Sequence, residues 1–357
     1  MVQLEAPGET SHNRSFRTHA GYLRGFRILA AGRFQPREKF LRDLADRALA
    51  AYDGQIKRAR SDVDEVTVRS CLHRAWGTET ILCTTAELSH DADLLRMALA
   101  WGAVQAYYAC YGASQAVLVA EGKSRSEHHN TTQGQVVSLW VDRAFSLAPW
   151  SLAAAEPGTR RACASGFLNG PGRPLDLTLH GWAYLGPGQE WDRASKALRT
   201  TRDDAVSDAL DRAREKKRKE RAKAWNAEEA ARLTLGKRPR NVPSARLPLL
   251  TAAEKATVRS SVRPYTMLDY LYRLRIKANY IDDDLFSQGP EDDSDAISFS
   301  ATMQDLVATT LLVHELRLGK LLSAAWVLRQ ADAWLDANST TSAAHGLAAR
   351  RAILPPV

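Results

Sequence analysis

DADLLRMALAWGAVQAYYACYGASQAVLVAE, from Asp91 to Glu121, is apolar on almost every side. Leu94, Leu95, Met97, Leu99, Trp101, Val104, Tyr107, Tyr108, Tyr111, Val117 and Leu118 do not gather onto one face of a helix. A helix without a wide polar face has to be enclosed by neighbours, so this segment predicts the centre of a helical bundle. Ser89, Asp91 and Asp93 provide a start signal and Gly122 a stop. Arg96, Gln105, Ser114 and Gln115 interrupt the run from Leu94 to Ala120, which reads as a core helix and not a membrane span.

Working outward, helical patterns cover about 37–60 and 66–86, and a second diagnostic stretch lies far downstream. There Met267, Leu271, Leu274, Ala278, Ile281 and Leu285 recur every three or four residues, a single apolar stripe of the kind bundle packing needs. Closing helices are expected over about 298–318 and 321–336. Between the two halves, residues 150–190 are rich in Gly and Pro and predict loops with a short hairpin near Leu175–Tyr184. A polar helix follows from Asp203 to about Leu233, and Thr251-Ala252-Ala253-Glu254 is a capping-box pattern. The expected organisation is a loose arm (1–36), the first part of the bundle (37–149), and an insertion with loops and a basic helix (150–260). The second part of the bundle (261–336) and a weakly ordered tail (337–357) complete it.

The chain of 357 residues is long enough for a full core in one large domain or two smaller ones. Its 49 basic and 41 acidic residues leave a formal net charge of +8, which favours an anionic partner, nucleic acid or an acidic protein, over a merely solubilising surface. Four dispersed cysteines, Cys71, Cys83, Cys110 and Cys163, contain no CxxC pair; they predict neither a disulfide framework nor a metal site, and a reducing, cytoplasmic setting. The first 42 residues are rich in arginine and lack the apolar core of a signal peptide. No phosphate-binding loop, GxGxxG, GxSxG, HExxH or DxDxDG pattern is present, so no cofactor is expected.

Three places carry candidate chemistry. Small residues at 106, 109, 112, 113 and 116 let helices approach closely, and the tyrosines between them read first as core packing. After that helix come Arg125, His128 and His129, a polar turn able to donate to phosphate or to move protons, or to do neither. Along the second stripe, Arg275 and Asp282 lie at the rim, as a phosphate ligand or as an Arg–Asp network holding helices in register. In the inserted helix, eight basic and three acidic residues fall between Asp211 and Lys223. Arg214, Lys216, Lys217, Arg218, Lys219, Arg221 and Lys223 could follow a phosphate backbone while Trp225 stacks on a base; i,i+4 ion pairs on a solvated helix are the equal alternative.

The segments Ala106-Tyr107-Tyr108-Ala109, Ala116-Val117-Leu118, Gly122, His128 or His129, and Leu274-Arg275-Ile276-Lys277-Ala278-Asn279-Tyr280 occur in an order that resembles the HEPN family (higher eukaryotes and prokaryotes nucleotide-binding), in its small prokaryotic branch. The resemblance covers about 130 residues on either side of a large insertion. It implies a HEPN-like up-and-down bundle that forms homodimers, and an RNA-directed activity. Many members are metal-independent endoribonucleases of toxin–antitoxin, CRISPR or anti-phage systems, using an arginine and a histidine a few residues apart. By that likeness Arg275, Tyr280, His128 and His129 are the catalytic candidates, although Tyr280 stands where the family has histidine. On an unbroken helix, residues five apart point about 140° away from each other. The resemblance therefore also admits a non-catalytic nucleic-acid-binding or protein-interaction subunit. The family further implies an antitoxin or a nucleotidyltransferase as partner, the latter modifying a tyrosine for which Tyr280 is the candidate.

Overall fold

The computed structural model describes residues 10–32, 36–59, 62–143, 145–156, 167–169, 190–241, 247–281, 289–338 and 345–354. Eleven α-helices occur among them: α1 (Ser11–Ala31), α2 (Arg37–Tyr52), α3 (Glu65–Thr84), α4 (Ala92–Ala120), α5 (His129–Val136), α6 (Glu190–Thr234), α7 (Ala252–Ser261), α8 (Met267–Ile276), α9 (Asp293–Leu321), α10 (Ala324–Ala337) and α11 (His345–Arg351). β1 (Leu152–Ala154) and β2 (Phe167–Asn169) form a two-stranded antiparallel pair in which Ala153 faces Leu168. The expected hairpin near Leu175–Tyr184 lies outside the described residues.

The fold is mainly helical, with α4 at its centre, packed on α3, α8 and α9. Close approach is built into the sequence. A Cβ added to Gly112 would meet the Cys71 carbonyl oxygen at 3.2 Å and the Ala75 Cβ at 3.3 Å, so α3 presses directly on the α4 backbone. At Gly102 a Cβ would meet Met303 Cε of α9 at 2.8 Å. Ala103, Tyr107, Ala109, Ala113, Ala116 and Val117 are fully buried. The carboxylate of Glu121, the residue that caps α4, accepts from Arg317 of α9 and from Arg143, which fixes where the following turn leaves the bundle.

By length and composition α9 would span a bilayer, and 72% of its most apolar window is buried inside the fold. Its neighbours α1, α2, α4 and α10 take the place lipid would occupy.

Two expectations at the chain ends are corrected. The segment read as a loose arm contains α1, a 21-residue helix that lays Phe16, Leu23, Phe26 and Ala30 into the core. Its arginines lie along the other edge, where Arg17 pairs with Asp295 and Arg27 with Asp305. The segment read as a weakly ordered tail contains α11, whose Arg350 is fully buried between Glu79 and Glu315.

Smaller shifts follow from local chemistry. α2 stops at Tyr52 because Gly54 turns the chain with φ +65°, eight residues before the end expected from its pattern. α6 begins at Glu190, thirteen residues before the expected start, and its first half joins the common core through Ala194, Ala197 and Leu198. The stripe from Met267 does not run along one α-helix. α8 ends at Ile276 and passes into a π turn over Lys277–Ile281, and residues 282–288, with Asp282 and Leu285, lie outside the described set.

Candidate functional site

α4, α5 and α8 converge on one cluster of aromatic rings around a guanidinium. From α4 come Tyr107, Tyr108 and Tyr111, one turn of helix; from α5 comes His129; from α8 come Tyr272 and Arg275. Arg275 Cζ lies 5.1 Å from the Tyr108 ring centroid, 5.6 Å from Tyr272 and 5.9 Å from Tyr107. The His129 ring stands 5.0 Å from Tyr111, 5.3 Å from Tyr272 and 5.5 Å from Tyr107. Tyr107 Oη and His129 Nδ1 are 2.7 Å apart, a strong hydrogen bond.

The supporting contacts are specific. Gln115 Nε2 donates to Tyr111 Oη at 3.0 Å and to the Ser126 carbonyl oxygen, and Thr132 Oγ1 donates to the same phenol at 3.3 Å. These bonds tie the turn after α4 and the first turn of α5 to the tyrosine row. Both α5 and α8 then run directly into π turns, Val137–Val141 and Lys277–Ile281. Such turns are rare and cluster at functional sites, because the extra residue per turn costs hydrogen-bond geometry.

Arg275 has an unusual environment for a partly buried cation. Among the described residues no carboxylate pairs with it, and its Nε is buried without a hydrogen-bond partner. Ring faces hold the charge through their quadrupoles and leave the in-plane N–H donors uncommitted. Burial, and then the Arg275 charge, lower the His129 pKa below that of a free imidazole, so the ring is neutral at pH 7. Burial beside Tyr111 and Tyr272 pushes the Tyr107 phenol well up, so it stays protonated. With the phenol donating to Nδ1, the imidazole carries its proton on Nε2. With Nδ1–H donating to the phenol oxygen, Nε2 is a base. A single proton shift separates a donor from an acceptor at the same position.

Compared with protein-family models, curated proteins and solved structures, the chain matches none.

The structure brings Arg275 and His129 to one cluster and leaves the other catalytic candidates outside it. His128 is the exposed residue before α5, with its backbone N–H on Ser126 Oγ. Tyr280 is 68% exposed in the π turn. Arg125 is exposed in the turn between α4 and α5. Tyr107, Tyr108 and Tyr111, which read from sequence as packing residues, and Tyr272, which the sequence did not single out, are the groups that hold Arg275 and His129. The spacing of the first three on α4 was visible, and the resemblance implied that Arg275 acts together with a histidine of the turn after α4; that Tyr272 joins them was not. Among the described residues, no group of three or more His, Cys, Asp or Glu side chains is placed to hold a metal ion.

The basic residues of α6 divide in two. Lys217 donates to both oxygens of Glu254 at 2.7 and 2.8 Å, Arg218 forms a two-bond fork with Glu215, and Arg214 pairs with Asp211. Arg240 sits 5.8 Å from the centroid of Trp225 and covers one of its faces. Lys216 and Lys219 are exposed and only loosely paired, at 3.9 and 4.0 Å, and Arg221 and Lys223 are exposed with no partner among the described residues. Of the cations singled out from the sequence, Lys216, Lys219, Arg221 and Lys223 are therefore the least committed, on a half-helix whose only buried residue beyond Val206 is Glu229.

Proposed function

We propose that this chain is an RNA-directed, HEPN-like protein in which Arg275 and His129 form a phosphodiester site, acting as a metal-independent endoribonuclease of the toxin or anti-phage kind. The supporting observation is the guanidinium held by three tyrosine faces next to a neutral imidazole hydrogen-bonded to Tyr107. Arg275 would neutralise the non-bridging phosphate oxygens through its uncommitted N–H groups. His129 Nε2 would take the proton of the ribose 2′-hydroxyl as its oxygen attacks phosphorus. The 5′ oxygen then departs with a proton from water, leaving a 2′,3′-cyclic phosphate, and His129 gives up its proton to solvent. The exposed cations of α6 would hold the strand.

The test uses labelled transfer and messenger RNA with excess chelator. Wild-type protein is expected to cleave. Arg275→Ala and His129→Ala should each lose about 100-fold or more in rate, as removal of an acid–base or charge-stabilising group does. His128→Ala, changing an exposed side chain, should retain activity. If all four proteins cleave alike, the site assignment is wrong.

A second reading has its own observation. Tyr280, at the position of the family histidine, is exposed and outside the cluster, which suits a non-catalytic RNA-binding or protein-interaction subunit whose free phenol is open to a nucleotidyltransferase. In that case the same assay gives salt-sensitive binding without cleavage. Under either reading, changing Lys216, Lys219, Arg221 and Lys223 together to Gln should flatten the dependence of log affinity on log salt. A drop in slope of up to about 3 is expected if all four meet phosphates of a single strand. An unchanged slope would remove α6 from the interface.

A further inference from the structure

A cavity of about 540 Å³ opens between β1, α6 and the end of α7, away from the tyrosine cluster. One face of α6 lines it, with Arg199, Arg202, Val206 and Leu210 recurring every three or four residues, and Arg259 of α7 lines it too. Its volume falls in the range of small-molecule sites.

Two of the lining arginines, Arg199 and Arg202, carry buried nitrogens with no partner among the described residues. Arg202 is only 5% exposed; its Nη2 donates to the Arg259 carbonyl oxygen at 2.9 Å and lies 3.1 Å from Glu156 Oε2, while its Nε is buried with no partner. Arg199 has two buried nitrogens, Nε and Nη2, without partners. Arginine does not shed its proton to relieve such a situation, so the orphaned donors call for acceptors. The lining holds three guanidinium groups against Glu156 and Asp203, and Glu156 is already committed to Arg202. A cation would find no unshared carboxylate pair here. An oxyanion with several acceptor oxygens fits.

We propose that this cavity binds a small phosphorylated organic molecule of about mononucleotide size. Arg199 and Arg259 would hold the phosphoryl oxygens, Arg202 would fix the wall through Glu156 and α7, and Val206 with Leu210 would pack on the organic part. The site is separate from the RNA reading above and does not depend on it. It shares a framework with that cluster, since Asp204, next to Asp203 of the cavity, pairs with Arg273 of α8.

Titration calorimetry on the full chain tests this with pyrophosphate, adenosine 5′-monophosphate and adenosine as probes. Both phosphorylated probes are expected to bind and adenosine to give no heat. Arg199→Gln and Arg259→Gln should each weaken binding about tenfold, with the unfolding midpoint unchanged. Absence of binding by both phosphorylated probes up to millimolar concentration overturns the proposal. So does an affinity that survives in both variants, or adenosine binding as well as its monophosphate. Pyrophosphate binding as tightly as the monophosphate would overturn the apolar half of the site.

Discussion

Arg350→Met is expected to lower folding stability by about 3–5 kcal/mol, the largest single effect in the bundle away from the site. Arg350 is fully buried and donates from Nε to Glu315 Oε2 at 2.9 Å, and from Nη2 to Glu315 Oε1 at 3.0 Å and Glu79 Oε2 at 2.8 Å. Trp76 Nε1 adds a bond of 2.7 Å to Glu315. Burial works against the guanidinium charge, and the two carboxylates more than offset it, raising its pKa further. Methionine fills much of the volume but leaves two carboxylates facing each other out of water, where at least one must take up a proton. Glu79→Gln leaves a one-to-one pair with an amide oxygen still able to accept, and should cost clearly less. Urea unfolding at pH 7 reads both as midpoint changes. A loss under about 1 kcal/mol for Arg350→Met, or a larger one for Glu79→Gln, would contradict this account of the network.

Helices whose character is one-dimensional were legible in the sequence. α4 was readable from its all-round apolar pattern because every side of it is covered, and α3 and α10 from ordinary periodicity. α1 was hidden by arginine content. Phe16, Leu23, Phe26 and Ala30 do keep a helical spacing, but the partners that make Arg17 and Arg27 compatible with a packed helix, Asp295 and Asp305, lie more than 270 residues away. Arg350 failed for the same reason: a cation near a chain end reads as solvated unless its carboxylates are known. At the candidate site, sequence reasoning singled out Arg275 and His129 without being able to separate His129 from His128. The difference is a matter of register at the start of α5, where one ring turns in to Tyr107 and its neighbour turns out to solvent.

The pH dependence of stability should carry the signature of another histidine, one buried in the core. His314 of α9 is enclosed, its Nδ1 donating to the Thr310 carbonyl oxygen at 2.7 Å and its Nε2 3.2 Å from Ser114 Oγ, whose other contact is the Cys110 carbonyl oxygen at 2.9 Å. With Nδ1 committed as a donor and the Ser114 hydroxyl proton given to Cys110, it is burial that keeps Nε2 unprotonated. Burial brings its pKa down to about 4, aided by the Arg317 charge one turn along and opposed by the bond to Thr310. The unfolded chain takes the proton near the free value of about 6.5, so between those values the unfolded state binds more protons and stability falls as pH falls. The contribution is whole above about pH 6.5 and is lost on the way down to pH 4, with about 2 kcal/mol disappearing between pH 7 and pH 5. His314→Leu removes the titrating group and leaves Ser114 bonded to Cys110, so its stability curve should be flatter by that amount over the same interval. Urea midpoints for both proteins at several pH values give the difference directly, and carboxylates common to the two cancel. Parallel curves would mean that His314 is not buried as a neutral ring, and the packing of α4 on α9 around Ser114 would have to differ from that described.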